Sequence, residues 1–62
     1  MPLILRRQPH ETWREAVARV GAENRLEQEC LAHFDKLVSE GEAKDVAALY
    51  AVLEWDCAEF EQ

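Results

Sequence analysis

Basic residues are scarce in this chain: 7 lysines and arginines stand against 13 aspartates and glutamates, for a net charge of -6 in 62 residues. A body so acidic is repelled by phosphate backbones and by anionic membrane surfaces, which argues against binding duplex nucleic acid or a lipid headgroup layer. Long apolar runs are missing too. The most apolar stretch, VAALYAVL at 46–53, is far short of the roughly 18 residues a membrane span needs. The opening MPLILRRQ places its apolar residues ahead of its arginines, the reverse of a secretory leader. These readings lead us to expect a cytoplasmic protein whose 2 cysteines, Cys30 and Cys57, are not bridged by default.

Glycine is nearly absent. The 2 that occur, Gly21 and Gly41, fall where a helical pattern runs out, and they divide the chain into three parts. No glycine-rich phosphate loop exists, no internal repeat, no low-complexity tract and no linker. Hydroxyl nucleophiles are few: Thr12, Ser39 and Tyr50 sit where capping or solvent-facing roles suffice. His10 has Glu11 beside it, but neighbours on a helix point about 100° apart and do not form a dyad. The many carboxylates are dispersed rather than paired for acid–base work. The expectation is a non-enzymatic protein with no catalytic residue, no metal and no cofactor.

What is present is helical periodicity. Trp13, Ala16, Val17 and Val20 follow at i, i+3, i+4 and i+7, and Pro9 suits an opening turn, which predicts a first helix near 9–20 ended by Gly21. TWRE offers a second possible start, a capping box at Thr12. NRLE predicts Asn24 as the N-cap of a second helix near 25–40, with Leu26, Cys30, Leu31, Phe34, Leu37 and Val38 on its buried side. A third helix is predicted near 43–60, its core face formed by Val46, Leu49, Tyr50, Leu53, Cys57 and Phe60. The fold class is therefore all-α, a small three-helix domain over residues 9–62 preceded by an extended N-terminal arm at 1–8.

The third helix carries a second apolar face. Ala48, Ala51, Val52 and Trp55 repeat the same spacing on the opposite side, with Ala47 and Ala58 at its margin. A helix apolar nearly all round is normally buried on two sides, whereas each helix of a three-helix monomer has one side to bury. The back face is explained if Leu3, Ile4 and Leu5 fold over Trp55, if a second copy of the chain covers it, or if another protein does. A chain this short is close to the limit of independent stability, which favours association.

These considerations predict an interaction module, homodimeric or a small accessory subunit. Its contacts would be Trp55, Ala48, Ala51 and Val52, with Leu3 and Leu5 from the arm and Arg6 and Arg7 directed at acidic residues of a neighbour. Charge is unevenly placed, five arginines against three glutamates in residues 1–25 and two lysines against ten acids in 26–62, so the two halves attract within one chain or between two.

Two other classes compete. A rigid body bearing Glu27, Asp35 and Glu40 could imitate nucleic acid and fill the basic groove of a nucleic-acid-binding protein. A helix-turn-helix that itself reads DNA is disfavoured, because its second helix would present Gln28, Glu29 and Asp35 to phosphates. Cys30, His33 and Cys57 could instead form a zinc or redox centre, although no second histidine stands near Cys57. Counting outward from Gly41, Cys57 lies about a helical turn beyond the level of Cys30, so contact is easier than bridging.

Overall fold

The computed structural model describes residues 3–57 together with the backbone of 59 and 60, and side chains are described for 4–57. The order of elements is β1 (Leu3–Ile4), α1 (Trp13–Glu23), α2 (Glu27–Ser39), α3 (Lys44–Glu54) and β2 (Glu59–Phe60). The chain is an all-α, three-helix domain in which every pair of helices packs together. The two short strands pair antiparallel, Leu3 opposite Phe60 and Ile4 opposite Glu59, joining the arm to the end of the chain.

The first helix starts at the later of the two possible places. Thr12 is its N-cap: the Thr12 hydroxyl accepts from the Glu15 amide at 3.2 Å, and the Glu15 carboxylate accepts from the Thr12 amide at 2.8 Å. This reciprocal pair satisfies two amides that otherwise have no helical partner. Pro9 lies instead in a turn, closed by the Glu11 amide donating to the Gln8 carbonyl at 3.1 Å.

Gly21 does not end α1, contrary to the expectation from its sequence. It is a buried residue inside the helix, and a Cβ there would stand 2.9 Å from the Glu27 Cα. Glycine is required because the chain doubles back across that point. The turn uses a left-handed Arg25 (φ 61°), with the Leu26 amide donating to the Gly21 carbonyl at 2.7 Å and the Arg25 amide to Ala22 at 3.1 Å. That is a Schellman ending.

Asn24, predicted as the N-cap of α2, serves α1 instead. It is the C-cap of α1, and its side-chain amide donates to the Val20 carbonyl at 2.9 Å. Leu26 holds the N-cap position of α2 without a side-chain bond, while Glu27 and Glu29 in the first turn favour the positive end of the helix dipole. At the other end Gly41 acts as predicted, with φ 99° and the Glu42 amide donating to the Leu37 carbonyl at 3.1 Å.

The third helix is shorter than predicted. It stops at Glu54, and the chain then reverses through a left-handed Asp56 (φ 58°), an aspartate being one of the few side chains that tolerate this conformation. The Cys57 amide donates to the Val52 carbonyl at 2.7 Å and the Asp56 amide to Leu53 at 3.1 Å. All three helices thus close with the same hydrogen-bond pattern, glycine occupying the left-handed position in α2 alone.

The core lies where the three helices meet. Ala16, Val17, Cys30, Ala47, Ala48, Ala51 and Val52 are completely inaccessible, and Val20, Phe34 and Cys57 nearly so. The buried faces of α1 and α2 are those read from the sequence. The expected core face of α3 is met only in part: Leu49 and Cys57 do pack in the core, Val46 and Tyr50 are exposed, Phe60 lies outside the described side chains, and Ala48, Ala51 and Val52, expected to face away, are the centre of the core. Periodicity identified both stripes but had no means of ranking them. Alanines let α3 approach both partner helices closely, packed helix axes usually sitting about 8–10 Å apart, and the ring of Phe34 from α2 fills core volume beside them.

Candidate interaction surface

The outward face of α3 is built from Val46, Leu49, Tyr50 and Leu53, at i, i+3, i+4 and i+7. Val46 is 37% and Tyr50 49% exposed, and Leu49 and Leu53 are partly covered. Asp45 near the start of α3 and Glu54 at its end are exposed and edge the stripe with negative charge. The signal that would have found this face in the sequence is residue size: of two apolar stripes on one helix, the alanine-rich one packs inward in a small bundle.

The residues proposed from sequence occupy different surroundings. Ala48, Ala51 and Val52 are sealed inside their own chain and offer no surface to a partner. Trp55 is the C-cap residue of α3, is 40% exposed, and borders an open groove of about 420 Å³ with Glu29, Ala32, His33, Lys36 and Glu54. Leu5 packs against the core, while of Leu3 the structure describes only the backbone pairing with Phe60. Arg7 is used within the chain: its guanidinium donates to the Glu11 carbonyl at 2.8 Å and stands over the Trp13 ring, 5.0 Å from the centroid. Arg6 is exposed, and its carbonyl accepts from Arg19 at 2.7 Å.

Sequence reasoning missed the network that fastens the arm. Glu11 is nearly buried, and its carboxylate accepts from Arg19 at 3.0 Å and from the Gln8 amide at 2.9 Å. The Arg19 bond and then the Gln8 amide hold the Glu11 carboxyl below the usual range despite its partial burial. Arg19 also approaches Glu23 at 3.6 Å. Arg19 and Glu23 are an i,i+4 pair that helical spacing would reveal, whereas Glu11 precedes α1, and only the turn at Pro9 brings it to the side of that helix.

Among the acidic residues, Asp35 is engaged by Arg14 through two hydrogen bonds of 3.0 Å, a forked pair linking α1 to α2. Arg14 holds the Asp35 carboxyl below its ordinary range. Glu27 and Glu40 are exposed. One of the three charges that a nucleic-acid mimic would present is thus neutralised by the chain itself.

Cys30 and Cys57 are both free and buried, and they share the apolar cluster. His33 does not join them. Among the described residues no three histidine, cysteine, aspartate or glutamate side chains gather in a way that could hold a metal ion, so the zinc arrangement is not formed. Among the same residues no helix is long and apolar enough to cross a membrane. The class of protein is thereby set as a small all-α bundle with one apolar helix face turned outward. No family model, curated protein sequence or solved structure matches the chain.

Proposed function

We propose that this chain is a non-enzymatic interaction module that pairs with a second copy of itself through the outward face of α3. The observation that carries the reading is the exposure of Val46 and Tyr50 on a stripe that continues through Leu49 and Leu53. Two such stripes can meet about a two-fold axis, so that every contact between the copies occurs twice. The whole chain exposes 4302 Å². A standard interface of about 800 Å² per partner would take roughly a fifth of that. One helix face of four side chains provides less, which places the pairing at the small end of specific interfaces. As a small accessory subunit, the same chain would offer the same face to an apolar groove on a larger protein.

Salt dependence separates this reading from nucleic-acid mimicry. Two bodies of charge -6 repel, and screening removes the repulsion, so self-association tightens as salt is added. An acidic mimic bound to a basic groove weakens instead. The experiment is sedimentation equilibrium of the wild type and of Tyr50→Glu at low and moderate ionic strength, up to millimolar protein. A concentration-dependent dimer that strengthens with salt and is abolished by Tyr50→Glu supports the proposal; a wild type that stays monomeric throughout overturns self-association.

A further inference from the structure

Self-association through the outward face of α3 makes no use of the groove between α2 and the end of α3. Glu29, Ala32, His33 and Lys36 recur on one side of α2 at i, i+3, i+4 and i+7, and Glu54 and Trp55 close the groove from α3. Trp55 is 40% exposed there. A large aromatic ring left open to water beside a concavity of about 420 Å³ is a place where a partner's side chain gains much from covering it. The short side chain of Ala32 keeps the middle of the groove open.

The charge around the indole sets the sign of that partner. Glu29 and Glu54 are exposed carboxylates on the two walls. No basic residue stands in the last turn of α3, so the negative end of its dipole, at Glu54 and Trp55, is not neutralised from within the helix. Lys36 is the opposing charge, but it stands seven residues from Glu29 along α2, about 10 Å by the helix rise. Counted outward from the turn at Gly41, Glu29, Glu54 and Trp55 are at nearly the same remove, while Lys36 is much nearer the turn. The indole therefore belongs to the acidic end of the groove. The chain holds its own example of such a pairing: the Arg7 guanidinium stands 5.0 Å from the Trp13 ring centroid while donating to the Glu11 carbonyl at 2.8 Å. Among the described residues no cation covers Trp55 in this way.

We propose that this groove binds a basic, arginine-bearing segment of another protein, with a guanidinium lying flat on the Trp55 indole and donating to the Glu29 and Glu54 carboxylates. Arginine suits the site better than lysine. Its planar, weakly hydrated group covers the ring with its face while its edge keeps donors free for carboxylates, whereas an ammonium satisfies the carboxylates alone. The net charge of -6 draws such a segment in from a distance, and salt weakens that attraction. Lys36 opposes it and confines the arginine to the Trp55 end of the groove. This inference goes beyond self-association and does not depend on it, and the two respond to salt in opposite directions.

The test titrates the folded, full-length chain into a fluorescein-labelled decapeptide carrying three arginines spaced by glycine and serine, and into its lysine counterpart, with anisotropy read at low and moderate ionic strength. The arginine peptide should bind several times more tightly than the lysine peptide, and both should weaken as salt is added. Trp55→Ala should weaken the arginine peptide about fivefold or more and bring it level with the lysine peptide. Glu29→Gln combined with Glu54→Gln should weaken both. Lys36→Glu, on the exposed side of α2, should tighten the arginine peptide by roughly threefold at low salt, and this arm stands even if a change at Trp55, the C-cap of α3, disturbs folding. Equal binding of the two peptides by the wild type would overturn the proposal, as would an arginine peptide indifferent to Lys36→Glu. Absence of binding at millimolar peptide would overturn it too; if Trp55→Ala then also abolished a dimer seen by sedimentation, the occupant of the groove would be a second copy of the chain.

Discussion

Replacing Gly21 with alanine sets two effects of known sign against each other. Within a helix, alanine is favoured over glycine by about 1 kcal/mol, because glycine surrenders more backbone freedom on folding. At this position the added Cβ would lie 2.9 Å from the Glu27 Cα and 3.2 Å from both the Glu27 nitrogen and the Leu26 carbonyl oxygen. All three atoms belong to the backbone, so no flexible side chain can move aside. The turn must shift by several tenths of an ångström, and that turn carries the 2.7 Å bond from the Leu26 amide to the Gly21 carbonyl. Overpacking of this kind costs about 1–3 kcal/mol, and weakening the bond adds up to about 1 kcal/mol. The net expectation is a loss of about 1–2 kcal/mol. A chain of this length has only about 3–9 kcal/mol in total, so the thermal midpoint should fall by roughly 5–15 °C. Urea and thermal unfolding followed by far-ultraviolet circular dichroism measure it, with Ala22→Gly as the companion: Ala22 is exposed on the same helix and should lose about 1 kcal/mol from propensity alone. A Gly21→Ala variant as stable as the wild type, or more so, would refute the close approach of the α2 entrance to α1.

Two further perturbations follow from the same packing. Ala48→Leu inserts a large side chain into a fully enclosed site and should destabilise by about 2 kcal/mol or more, whereas Tyr50→Ala, on the outward face, should change monomer stability by less than about 1 kcal/mol; chemical denaturation at low protein concentration compares them, and the opposite ranking would restore the sequence-based assignment of the faces. Because the Glu11 carboxyl is held below its ordinary value in the folded chain, its contribution to stability is complete above the unfolded glutamate value of about 4.3 and disappears as pH falls through the lower folded value. Glu11→Gln should therefore lower the midpoint at neutral pH and flatten its decline in acid, read from thermal melts at pH 7 down to pH 2; an unchanged acid slope would show that Glu11 is not the group responsible.

The stripe Trp13, Ala16, Val17, Val20 and the capping box at Thr12 were legible because each is a local pattern whose partner lies within a few residues. The same holds for the buried side of α2 and for Gly41, where only a left-handed residue ends the helix. Gly21 was misread for a physical reason: a glycine demanded by close approach looks identical in sequence to one demanded by a positive φ. Arg25 and Asp56 took the left-handed positions instead, the first without any propensity for it and the second with a tolerance that glycine would have exceeded, and the helix limits moved with them.

Amino-acid order alone determined that this chain is all-α, that it has three helices, and that the last of them bears two apolar stripes; all three follow from spacing at 3.6 residues per turn, a property of one helix considered by itself. Tertiary structure decided which residues of α3 are inside, that Cys57 turns back into the core, and that Glu11 meets Arg19. Each of these depends on the distance between backbones in three dimensions. With Phe34 of α2 already in the core, α3 contributes small side chains there, and that division of the space is a property of the assembled helices.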